Sequence, residues 1–161
     1  VFQQLDQWVQ CENERRHRMG GPPLGRAVFR ILGQTALIEA QIDLELAATM
    51  DVDAYANPAD WVITQKFDEL LHGSGRHWDP HSSEIWMPEE TEYTPLYTGR
   101  AVDALLAAPE YVLLSKAIKA PIKNRNLMIE FLSKLEPQTP QGRRFLELAS
   151  KYGLDLEQFV R

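Results

Sequence analysis

Two acids, Asp51 and Asp53, carry the clearest chemistry in this chain. They stand in the stretch TMDVDAYA over 49–56, where Met50, Val52 and Ala54 share one face and the two acids the other. Alternation with a period of two is a strand pattern. On a strand the two Cα atoms would lie about 6 to 7 Å apart, with both carboxylates on one side. Like charges held that close favour a shared cation. Hard carboxylate oxygens suit Mg²⁺ or Mn²⁺, in a site that keeps positions open for substrate phosphates. A metal held this way can orient a nucleoside triphosphate and neutralise charge on its leaving group. The competing reading is a solvated edge strand that happens to show two acids.

A second feature stands upstream. Gly33 ends the β-rich run 27–32 and opens the helical run 34–41. Backbone N–H groups of Gly33, Gln34 and Thr35 at such a turn could receive a phosphate. Downstream, Lys116 lies on a helix that starts at Pro109, four residues after Val112 and beside an apolar face. Its amine could reach a triphosphate or extend to solvent from a packed stem. Glu84, at the start of a possible strand over 84–87, is the candidate for a third metal-binding carboxylate, or else an exposed acid.

Strand, Gly turn, helix and then a strand bearing Asp51-x-Asp53 resemble the nucleotidyltransferase superfamily. The segment PEYVLLSK over 109–116, followed by Lys123-Asn124, is similar to its bacterial minimal branch, which includes abortive-infection toxins of toxin–antitoxin systems. The resemblance spans roughly 27–135. It implies a small mixed sheet flanked by helices with a helical C-terminal part. It also implies metal-dependent transfer of a nucleotidyl group from a nucleoside triphosphate, with Asp51 and Asp53 on the metal and Lys116 assisting. The acceptor stays open among an RNA end, a protein hydroxyl and a small molecule. Two positions depart from the pattern: Gln34 replaces a second small residue, and Asn124 replaces an acid. A catalytically inactive relative that binds a protein partner is therefore the alternative.

Other groupings carry less. His72, His77, Asp79 and His81 could offer zinc ligands, but they match no known spacing and read as a polar surface loop. Cys11 sits in a leading helix, and the basic stretch Arg15, Arg16, Arg18 and Arg26 is diluted by Glu12 and Glu14.

The elements that must position these residues follow from composition and periodicity. The 161 residues are 44% apolar and 25% charged, which argues for one folded domain rather than disorder. A net charge of -6 disfavours broad contact with nucleic acid, so a polyanion needs a local basic patch or a metal. A single cysteine and no signal-peptide pattern predict a reducing, cytoplasmic setting, and no apolar run is long enough to span a membrane. Phe2, Leu5, Trp8 and Val9 predict a short leading helix, set apart with its Gly/Pro loop over 1–25 from a main region over 26–161. Asn57 is expected to cap a helix with Pro58 in its first turn and Trp61 on its apolar side. A strand is expected over 101–106, then three helices, the last two carrying Phe131 and Phe145. Strands interleaved with helices, then helices alone, predict an α+β fold.

Overall fold

In the computed structural model, which describes residues 1–57 and 60–160, the chain begins with helix α1 (Phe2–Arg18) and strand β1 (Ala27–Ile31). Helix α2 (Gly33–Glu39), strands β2 (Asp51–Val52) and β3 (Ala54–Asn57) and helix α3 (Trp61–Gly73) come next. Strands β4 (His77–Trp78), β5 (Tyr93–Thr98) and β6 (Val102–Ala107) are followed by helices α4 (Pro109–Lys119), α5 (Arg125–Lys134) and α6 (Pro140–Lys151). The fold is α+β, as the order of patterns implied.

The main sheet has the order β3-β1-β6-β5, with β1 parallel to β6 and antiparallel to β3. Strand β1 is central because Ala27, Phe29 and Ile31 alternate into the core. Val102, Ala104 and Leu106 do the same on β6. The helices cover that face. Phe29 meets Phe67 of α3 at 4.6 Å between ring centroids, and Phe2 of α1 lies 5.5 Å from both. Such aromatic clusters add roughly 0.5 to 1.5 kcal/mol per pair beyond area burial.

This cluster changes the reading of the leading helix. α1 runs through the charged stretch to Arg18 and packs Leu5 and Val9, both fully buried, into the same core. Asp6, only 4% exposed, fixes it there. Its carboxylate accepts N–H bonds from Ala101 (2.7 Å) and Val102 (2.9 Å), and Tyr97 donates its hydroxyl at 3.1 Å. Burial alone would raise the pKa of Asp6, but these donors outweigh it and hold the carboxyl below its ordinary value.

Several other expectations give way. The strand over 49–56 breaks at Asp53: β2 pairs with β4 in a separate two-stranded sheet, and β3 pairs with β1. Asp60, not Asn57, caps α3 by accepting from Val62 N at 2.9 Å, while Asn57 ends β3. Pro58 lies outside the described residues. Trp61 is 70% exposed rather than packed. The stretch 84–87 is not a strand; Ser82–Glu84 form a 3-10 turn. The acidic stretch before Tyr93 leads into β5, a strand whose mostly exposed residues give no periodic signal.

The C-terminal helices match their apolar stripes. Phe131 of α5 and Phe145 of α6 meet edge to face at 4.9 Å, and Gly153, with φ +67, lies just beyond α6. Replacing Phe131 with alanine should cost about 3 kcal/mol or more through lost contacts and a cavity. A lower urea midpoint at unchanged m-value would show it.

Candidate functional site

The break at Asp53 is a change of partners. Leu32 N donates to Asp53 O at 2.7 Å, and Asp79 N donates to Val52 O at 3.1 Å. Beyond it, Ala54 uses side chains: Ser82 Oγ accepts from its N–H (3.1 Å) and Trp78 Nε1 donates to its carbonyl (2.7 Å). Thr35 holds the same junction from α2. Its buried hydroxyl accepts from Asp53 N and donates to Asp51 O, each at 3.3 Å. The expected phosphate contact Thr35 thus serves as the brace of the acidic strand.

Val52, Ala54 and Ala56 are buried, so Asp51, Asp53 and Tyr55 alternate to the other side. The alternation read from sequence survives the break. Asp51 is exposed, and Asp53 is partly buried against the turn at Gly33. Gly33 has φ +56, and a Cβ there would lie 2.2 Å from Asp53 Oδ2. Glycine is required twice over, by conformation and by space. The Asp53 carboxylate also accepts the N–H of Gln34. The Gln34 side chain itself points away, donating to Ala47 O at 3.0 Å.

Opposite this wall stands α4. Gly33, Asp53, Lys116, Lys119, Lys123 and Asn124 line one cleft of about 200 Å³, closed on another side by Ile85 and Met87. Residues ninety positions apart in sequence therefore share a site. Ser115 hydrogen-bonds the carbonyl of Trp86, which ties the 85–87 wall to α4. Lys119 lies over the Trp86 ring at 5.2 Å. Asn124 donates to the carbonyls of Lys116 (3.2 Å) and Ala120 (2.9 Å), so its amide holds the end of α4 rather than acting as a base.

The charges in the cleft pull against one another. Burial, then the neighbouring Asp79, raises the pKa of Asp53; Lys116 and the Gln34 N–H lower it, and Asp51 raises it again. The net direction is upward. Two unit charges about 6.5 Å apart interact by about 0.6 kcal/mol in water and about 2.5 kcal/mol at an effective dielectric of 20. Partial burial therefore makes each neighbour matter. Lys116 shows the converse: burial pushes its pKa down, Asp53 supports its charge, Lys123 opposes it, and the net is downward.

Sequence reasoning missed Asp79. It follows β4, the register partner of β2, so it stands across from Asp53. The polar-loop reading of 72–81 hid it, because a two-residue strand leaves no periodicity. Glu84 is elsewhere: it is exposed, its carboxylate 3.7 Å from His81 Nδ1, and it does not line the cleft. Among the described residues, no three His, Cys, Asp or Glu side chains converge on a point that could hold a metal by themselves. The donors at the acidic wall are all oxygen. Mg²⁺ commonly takes one or two carboxylates and completes its shell with water and phosphate oxygens, so Asp53 with its strand neighbour Asp51 would be enough for a cation shared with a polyphosphate. Set against protein-family models, curated proteins and solved structures, the chain matches none of them.

Two outcomes follow. Gly33→Ala should destabilise markedly, and in an Asp53→Ala background, where only the 3.2 Å contact with the Cβ at 53 remains, its cost should fall toward the conformational part of about 1 to 2 kcal/mol. Separately, Asp53→Asn should be more stable than the parent at pH 7.5. The native state disfavours this carboxylate, so its penalty is full above the raised native pKa and absent below the unfolded value of about 3.9. The difference in urea midpoints should shrink as pH falls to 4.

Proposed function

We propose that the protein is a nucleotidyltransferase-like enzyme that uses a divalent metal to transfer a nucleotidyl group from a nucleoside triphosphate. The observation that carries this reading is the single cleft shared by the Gly33 turn, Asp53, Lys116 and the Lys123-Asn124 pair. Asp53 faces a lysine wall across it, and a metal-bound polyphosphate would satisfy both charges.

In this reading Asp51 and Asp53 hold Mg²⁺ or Mn²⁺, which would neutralise charge on the leaving group. Lys116, helped by Lys119 and Lys123, binds the phosphates as point charges. An acceptor hydroxyl oxygen forms a bond to the α-phosphorus, the bond to the bridging oxygen breaks, and pyrophosphate leaves. We assign Asp79 to receive the acceptor's proton. A cytoplasmic setting and a toxin–antitoxin role would follow from the family resemblance, and the acceptor remains open among RNA, protein and small molecule. Among the described residues, no helix is long and apolar enough to cross a membrane.

One observation favours the inactive, protein-binding alternative. The Asp53 carboxylate already fills the space over Gly33 and takes the Gln34 N–H that a phosphate would use.

Calorimetric titration of Mn²⁺ with each nucleoside triphosphate separates the two. Binding is expected in the parent protein, with Lys116→Gln weaker by roughly tenfold or more, the scale of one charge-assisted contact. Metal at 100 times its Kd should add about 2.7 kcal/mol of stability. The Asp51→Asn, Asp53→Asn double variant should lose both responses and be no less stable without metal. Flat titrations in all proteins would favour the protein-binding alternative.

A further inference from the structure

A second cleft, of about 420 Å³, opens on the strand face that carries Asp53. Its floor is Arg30 of β1, which pairs in register with Tyr55 of β3. The guanidinium carbon lies 5.8 Å from the Tyr55 ring centroid and 5.5 Å from that of Tyr93 on β5. Two rings thus hold a half-buried cation in one orientation. Among the described residues Arg30 makes no ion pair and donates no hydrogen bond; the side chains of Arg18, Arg76 and Arg100 share this but are exposed, whereas Arg30 is half-buried. Tyr93 does not neutralise it: burial, then the adjacent Tyr55, pushes the Tyr93 phenol up to about 12, so it stays uncharged. Asn57 adds an amide to the lining, and the one acid there, Glu89, is exposed at the rim.

A planar cation with free donors, prearranged in a cleft, is suited to an oxyanion that accepts two parallel N–H bonds. Position narrows the choice. Ile85 and Met87 line both this cleft and the one holding Asp53 and Lys116. Tyr55 follows Asp53 by two residues on the same face, a step of about 6 to 7 Å. We infer that the Arg30 cleft binds a phosphate group of the second substrate, so that a phosphate-bearing acceptor is anchored one strand step from Asp53.

The acceptor role rests on the nucleotidyl-transfer reading; the phosphate site does not. The phosphate could instead belong to the triphosphate itself, and titration distinguishes the two. The full chain is titrated in EDTA with adenosine 5′-monophosphate and with inorganic phosphate, and separately with Mn²⁺ and ATP. Both metal-free probes are expected to bind. Arg30→Gln should weaken adenosine 5′-monophosphate by roughly 10- to 100-fold and leave Mn²⁺–ATP unchanged. Arg30→Lys keeps the charge between the rings and the fold, as its melting temperature should confirm, yet should still bind more weakly because the fork is lost. Absence of metal-free binding by the parent, or equal binding by both variants, overturns the site. A matching loss of Mn²⁺–ATP affinity in Arg30→Gln assigns Arg30 to the triphosphate and overturns the acceptor role. Intact monophosphate binding with no Mn²⁺–ATP binding rejects nucleotidyl transfer and keeps the phosphate site.

Discussion

The Asp53 carboxylate is the point on which the site turns, because four segments meet at it with opposed demands. The turn after β1 supplies Gly33, which alone can let the carboxylate approach so closely. The start of α2 gives it the Gln34 N–H, β4 leads to a second carboxylate, and α4 faces it with a lysine. Burial and like charge exceed the hydrogen bond and the lysine, so the native state holds this carboxylate at a cost. Proteins retain such costs where chemistry requires a charge out of water. The same balance leaves the group ready to gain from any cation brought beside it.

That balance needs a rigid frame, since shifts of an ångström change each Coulomb term. β6 runs beside β1 and leads through Pro109 into α4, so the lysine wall is registered to the acidic wall by one parallel strand pair. Asp6 secures the opposite end of β6 from α1. Arg144 secures α4 to α6 by bridging Glu110, almost fully buried, and Glu92. Buried carboxylates of this kind stabilise only when every lone pair finds a donor, and Asp6 meets that condition.

What could be read from sequence follows what sequence encodes directly. Periodicity put Val52 and Ala54 on one face of a strand and gave the helices bearing Phe131 and Phe145, because those segments repeat their pattern over several turns or alternations. Gly33, Asp53 and Lys116 were legible as types with a chemical purpose, and all three line one cleft. Asp79 and β5 were not. Two-residue strands have no period, and an exposed edge strand such as β5 has no buried face to mark it. The helix cap was misassigned because Asn57-Pro58 is a stronger local signal than Asp60, yet pairing of Asn57 with Val28 keeps it in the sheet. Docking of α1 escaped because a Gly/Pro loop marks a turn in the chain without saying whether the flanking segments pack together.

The arrangement of charge in the cleft restricts what can occupy it. The protein carries a net charge of -6, yet Lys116, Lys119 and Lys123 gather on one wall of the cleft while Asp53, with Asp79 and Asp51 near it, stands on the other. A bare anion would gain from the lysines but meet the carboxylates, whose repulsion is strengthened by partial burial. A bare divalent cation would gain from the carboxylates but meet Lys116, already short of solvation. A ligand with positive charge at one end and negative charge at the other satisfies both walls at once, and relieves the raised pKa of Asp53 together with the lowered pKa of Lys116. Metal and polyphosphate should therefore bind with positive coupling, each lowering the cost the other meets. Such coupling belongs to the separation of the two walls and is lost when either wall is neutralised.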